Sequence, residues 1–236
     1  MSYLGRSIKR FEDGRLVIGD GVFIDDIKLP DMLHAVVVRS VHAHARIRSI
    51  NVVDAIELDG VVEVLTGADL AGKLPDLPIR PMGDRSVDEF NPPEHPVLAQ
   101  DKVCYVGQPV AVVVAKNPYL ARDGAELVTV DYEPLIPVVN PVDAANEDVP
   151  VIHPHLGTNV AMRSVQEGGD IEKAFAQAAH IVRQRYEIPR LAPSSMETRG
   201  VIGNYDASGD LLTVWDSTQA PNQIKRYLAQ MLGRPE

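Results

Sequence analysis

Two short runs hold the residues whose types could do chemistry. Met196-Glu197-Thr198-Arg199-Gly200 lies on an extended stretch, and Ser217-Thr218-Gln219-Ala220-Pro221 ends a β-rich run and opens a helix. The carboxamide of Gln219 can donate and accept hydrogen bonds without adding charge. At an element end such a residue usually caps a helix or satisfies a turn, so the residues alone assign Gln219 to backbone work. Glu197 could act as a general base. The simpler expectation is an architectural carboxylate, paired with Arg199 or closing a capping box with Ser194. His42-Ala43-His44 and His153-Pro154-His155 have i, i+2 spacing, which on a strand sets both rings on one face. Zinc would need two further ligands, and the lone Cys104 is near neither pair, so solvated loop histidines are expected and no metal site is assigned. Gly19-Asp20-Gly21 is too short for a dinucleotide turn and reads as a plain turn. Cys104 reads as a small buried hydrophobe. No catalytic residue is assigned.

These residues need elements to position them. Leu33–Arg39 and Val61–Leu65 read as strands, and 51–59 as a short helix or turn. Residues 1–20 read as an irregular arm. Prolines 75, 78, 81, 92, 93 and 96 make 71–96 a surface loop, with a partner-recognition segment as the lesser reading. Val110–Ala115 is apolar throughout, as in a strand covered on both faces. Asn117-Pro118 supplies an N-cap and first-turn proline for a helix over 119–127, in which Gly124 costs about 1 kcal/mol relative to alanine. A strand at 128–132 completes a βαβ-like unit. Further prolines mark a linker to about residue 160. Asp170 can cap a helix over 171–179, and Ile181–Ile188 suits a half-exposed strand. Val201–Tyr205 and Leu211–Trp215 flank a glycine-containing loop, a hairpin signal. From Pro221 onward, Ile224, Tyr227, Leu228, Met231 and Leu232 form one apolar helix face, and Gly233 can end that helix.

The chain has 236 residues, 45% hydrophobic and 24% charged, ample for a buried core in one large or two modest domains. A net charge of −10 argues against nucleic acid and acidic membranes as partners, since both are polyanions. One cysteine excludes an internal disulfide and fits a reducing compartment. No secretory signal or long apolar run is visible, so a cytoplasmic location is expected.

Several motifs occur in a familiar order. They are Gly21-Val22-Phe23-Ile24-Asp25-Asp26-Ile27, Leu33-His34-Ala35, Val64-Leu65-Thr66-Gly67-Ala68-Asp69-Leu70, Tyr105-Val106-Gly107-Gln108-Pro109 and Val130-Asp131-Tyr132-Glu133-Pro134. Gly169-Asp170-Ile171 and the two runs described first complete the series. The chain resembles the molybdopterin-binding large subunit of the xanthine dehydrogenase, aldehyde oxidase and carbon monoxide dehydrogenase family, over its amino-terminal portion. The resemblance implies an α+β (mixed α/β) fold. An α/β hammerhead domain at 1–140 and a linker at 141–160 would precede the truncated start of the first molybdopterin-binding domain at 161–236. It implies that Gln219 lies beside the metal, where a neutral amide can hydrogen-bond an oxygen ligand.

The family's glycine-rich pterin turn, base glutamate and later cofactor loops have no counterpart here. The expectation is a split subunit or fragment of a molybdenum hydroxylase, an oxidoreductase holding no molybdenum–molybdopterin cofactor alone. It would be active only with a chain carrying the rest and with iron–sulfur and FAD subunits. The cofactor's nucleotide form is left open. The rival reading is a non-catalytic hammerhead-type scaffold or partner-binding protein, in which the apolar face of helix 221–232 should be buried; a split enzyme should expose it.

Overall fold

The apolar run at 110–115 has no polar face to give to water, and the fold puts it in the middle. A computed structural model describes residues 3–80 and 89–236. In chain order its elements are α1 (Asp13–Val17), β1 (His34–Arg39), β2 (Ala45–Asn51), α2 (Val53–Glu57), β3 (Val61–Thr66), α3 (Gly67–Leu70), β4 (Glu89–Phe90), β5 (Lys102–Val103), β6 (Pro109–Ala115), α4 (Pro118–Leu127), β7 (Thr129–Pro134), β8 (Met162–Arg163), α5 (Ile171–Gln177), β9 (Val201–Asp206), β10 (Leu211–Asp216) and α6 (Pro221–Leu232). The fold is mixed α and β. Among the described residues no helix is long and apolar enough to cross a membrane. Pro81 of the expected proline-rich loop lies outside the described residues.

The chain divides into two compact units, Leu33–Arg185 with Arg226–Glu236, and Met1–Met32 with Tyr186–Lys225. In the first, β6 lies between β1 and β3, antiparallel to both, with Val113 opposite Val36 on one side and Val64 on the other. A second sheet runs β5-β2-β7. Ala111 and Val113 join Ala55, Val64 and Val128 in one buried cluster. Val110 joins Ala45, Ala99 and Val103 in another. Val38 and Val130 pack against both clusters, so the two sheets share one apolar interior.

The strand–helix–strand succession is present, but β6 and β7 belong to different sheets. The reason is edge occupancy. Both edges of β6 are taken by β1 and β3, so β7 pairs with β2 instead. Helix α4 starts as expected, with the Asn117 side chain accepting from Leu120 N at 2.9 Å. Gly124 is buried, and a Cβ there would stand 3.0 Å from both Val113 Cγ1 and Val61 Cγ2. Glycine thus lets α4 close onto the sheet, beyond the propensity penalty read from sequence. Gly124→Ala gains about 1 kcal/mol of helix propensity and loses about 1–3 kcal/mol to overpacking. The expected result is a lower urea midpoint; a higher one would show that the valines move aside freely.

Elsewhere, the described residues 3–20 carry the short helix α1, and 53–57 are helical. Of the loop expected at 71–96, residues 81–88 lie outside the described residues, and the described part contains the two-residue strand β4, paired with β8. Asp170 caps α5, accepting from Lys173 N at 3.0 Å. Residues 181–188, expected as a strand, form none and are exposed throughout. Their partial alternation needs a pairing partner and a covered face, and the described chain offers neither. The hairpin β9–β10 forms with Leu211 opposite Asp206. Helix α6 ends in paired bonds from Gly233 N to Gln230 O and Arg234 N to Ala229 O, the closure expected at a C′ glycine. On its apolar face Ile224, Tyr227, Leu228 and Met231 are half-buried and Leu232 is exposed, midway between the two expectations.

Candidate functional site

The hairpin brings the two chemistry-bearing runs side by side. Its last ladder pair is Asp216 with Val201. Ser217 extends the contact beyond it. Ser217 N donates to Gly200 O at 3.1 Å, and Ser217 Oγ accepts from Gly200 N at 2.9 Å. The same oxygen lies 3.3 Å from Thr198 O and Gly200 O, either of which can take its proton. The chain then turns sharply. Thr218 N donates to Asp216 O at 2.9 Å, and Thr218 Oγ1 accepts from Ala220 N at 3.1 Å. Ala220 O accepts from Gln223 N and Ile224 N and starts α6.

Gln219 sits at the crest of this turn, exposed. The backbone work expected of it is done by Ser217, Thr218 and the Ala220 carbonyl. Its carboxamide has no hydrogen-bond partner among the described residues and stays available for something outside the chain. Glu197 is engaged elsewhere. Its Oε1 accepts from Ile24 N at 3.1 Å, which ties the amino-terminal arm to the 196–200 run. The expected Arg199 pair and Ser194 capping box do not form, because no helix follows Ser194 and the carboxylate serves the Ile24 amide.

Of the histidines expected in solvated loops, His155 is exposed, His42 and His153 are half-buried and His44 is buried. Neither pair lies on a strand. His44 is only 7% exposed. Its Nδ1 lies 2.8 Å from Ile136 O, and because a carbonyl only accepts, Nδ1 carries the proton. Its Nε2 is buried with no hydrogen-bond partner among the described residues. The segment after β7 covers it, with Leu135 N donating to His44 O at 2.9 Å. His42 packs edge-on against Tyr132. His153 and His155 line a cleft of about 650 Å³ together with His95, Lys102, Cys104 and Tyr105. Sequence reasoning missed this cleft, because residues from 76 to 155 supply its walls and no local motif joins them. Cys104 is half-buried on that wall rather than in the core, and burial pushes its thiol up despite the nearby Lys102. Among the described residues no group of three or more His, Cys, Asp or Glu side chains could hold a metal ion. Gly19-Asp20-Gly21 lies where α1 ends, with Asp20 N donating to Arg15 O at 2.8 Å.

Burial first, then Lys102 and His155, holds His153 below the usual histidine range. The folded state therefore resists a proton that the unfolded chain accepts. Stability should be full above the ordinary histidine value and fall as pH drops through it toward the lowered one. Urea midpoints between pH 8 and 5 should show this fall, and His153→Asn should flatten it. An equal slope in both proteins would place the cause elsewhere.

Residues 18–136 match the aldehyde oxidase and xanthine dehydrogenase a/b hammerhead domain. Residues 152–236 match the molybdopterin cofactor-binding domain. The 6-hydroxypseudooxynicotine dehydrogenase complex subunit gamma of Paenarthrobacter nicotinovorans is 39% identical, over 100% of this chain and 29% of its own length. The carbon monoxide dehydrogenase large chain of Afipia carboxidovorans is 37% identical over 99% of this chain and 29% of its own. The structure of quinoline 2-oxidoreductase from Pseudomonas putida 86 superposes with a TM-score of 0.86 at 37% identity, covering 98% of this chain and 29% of that one. The chain thus spans less than a third of the length of these relatives.

Proposed function

The chain belongs to the aldehyde oxidase and xanthine dehydrogenase family, and on that premise we propose that it is the amino-terminal part, or a split subunit, of a molybdenum hydroxylase. Its role there is to supply the hammerhead domain and one wall of the molybdenum cofactor site. The observation that carries this reading is the exposed carboxamide of Gln219. Among the described residues it has no hydrogen-bond partner, and Ser217 and Thr218 beside it serve the amides of Gly200 and Ala220. That donor fits a cofactor rich in oxygen and sulfur acceptors. Gln219 would hold the group through its N–H, without adding charge and without coordinating the metal. When bound, molybdenum–molybdopterin supplies two-electron redox chemistry, which in the complete assembly hydroxylates a carbon centre with water as oxygen source or oxidises carbon monoxide.

The rest of the chain's work is architectural. The Ile24–Glu197 bond ties the amino-terminal arm to the 196–200 run, and the Ser217 contacts hold that run against the end of the hairpin. The hammerhead domain is placed at 1–140, a linker at 141–160 and the start of the first molybdopterin-binding domain at 161–236; the matches at 18–136 and 152–236 support two successive domains, the second beginning inside that linker. A partner polypeptide carrying the remaining cofactor contacts is supported by the large apolar side chains left exposed at Ile181, Val182, Tyr186, Ile188 and Leu191. Iron–sulfur and FAD subunits would take the electrons, in the cytoplasm.

Purification from the native host, followed by metal analysis and identification of bound chains, tests the reading. The expected result is a complex containing molybdenum and a second molybdopterin-binding chain. A stable, metal-free monomer without partners would instead fit a scaffold.

A further inference from the structure

We propose that Ser217 is the positioning residue for Gln219: its hydroxyl, more than the hairpin ladder, fixes where the carboxamide stands. This rests on the reading that Gln219 meets the cofactor. A two-stranded hairpin is only marginally stable in water, and the ladder here stops two residues before the turn. Beyond it one side chain does the joining. Ser217 Oγ accepts from Gly200 N and stands within reach of the carbonyls of Thr198 and Gly200. Without that oxygen, Gly200 N has no acceptor, and the 198–200 run is held to the turn only by the Ser217 N–H. Thr218 shapes the crest itself, accepting from Ala220 N across Gln219. Ser217 anchors the base and Thr218 bends the tip. A donor of this kind is useful only if held within about 0.5 Å of its productive position, and a shift of about 1 Å can cost up to 100-fold.

The test is a double-mutant cycle with Ser217→Ala, Gln219→Ala, the pair, and Ser217→Thr, which keeps the oxygen. In the 236-residue chain, Ser217→Ala should speed hydrogen exchange at the Gly200 amide by roughly tenfold, and Ser217→Thr should restore it. In the complex purified with its partner, molybdenum content, kcat and KM are compared. Ser217→Ala should lower molybdenum retention or kcat by about tenfold with KM unchanged, and it should have no further effect once Gln219 is alanine. A Ser217→Ala loss that persists undiminished beside Gln219→Ala overturns the positioning role. So does an unchanged Gly200 exchange rate. Full molybdenum retention with unchanged kcat in Gln219→Ala is a different result and overturns the site reading beneath it.

Discussion

Gly67→Ala should destabilise the protein by about 3 kcal/mol, well beyond an ordinary helix-start substitution. A Cβ at Gly67 would stand 2.3 Å from Ala99 O and 2.9 Å from Ala99 C, and both are backbone atoms. They cannot swing aside as a side chain does. Ala99 N donates to Pro109 O at 2.8 Å, and Ala99 itself is buried with Ala45, Val103 and Val110. Moving it would disturb the start of β6 and one of the two buried clusters. Gly67 cannot move away easily either. Thr66 just before it donates from N and Oγ1 to Asp69 Oδ2, each at 2.7 Å, and these bonds hold the Asp69 carboxyl below its usual range. The exposed neighbour gives the control: Ala68→Gly should cost about 1 kcal/mol. Guanidinium unfolding of both variants measures the contrast. If Gly67→Ala proved the milder change, the close approach would not constrain the fold.

Gln219→Ala should do the reverse. The residue is exposed, its carboxamide has no partner among the described residues, and the adjoining Ala220 amide is served by Thr218 Oγ1, so unfolding should move by no more than about 0.5 kcal/mol. Cofactor retention or turnover of the assembled complex should fall by about 10–100-fold, the usual effect of losing a hydrogen-bond donor beside a metal's ligands. Gln219→Glu replaces the donor by an acceptor-only carboxylate and should be at least as damaging. Gln219→Ala with full molybdenum content and unchanged kcat would remove Gln219 from the site. Loss of stability of about 1 kcal/mol or more would return it to backbone work.

Features set by local chemistry were legible in the chain. Asn117, Asp170 and Gly233 act where their types and spacing put them, because a cap needs only its own helix end. The strand at 110–115 was legible, but its sheet was not. Pairing depends on which edges are free, and β1 and β3 occupy both edges of β6. Ile181–Ile188 carries a strand's alternation, but alternation states what a strand would bury and does not supply the cover. The burial of His44 was hidden because a segment more than ninety residues later covers it, and the cleft was hidden for the same reason. At the turn, residue type could not tell which polar side chain would face the backbone. Ser217 and Thr218 do, and the Gln219 carboxamide next to them has no partner among the described residues.

The bond from Ile24 to Glu197 spans 173 positions of sequence. At about 5–20 residues added per second, a nascent chain exposes that amide roughly 9–35 s before its acceptor is synthesised. The opening arm therefore has to wait at the ribosome while 33–185 can already collapse around its own strands. Slowing translation after residue 32 would lengthen the interval in which the arm lacks this acceptor.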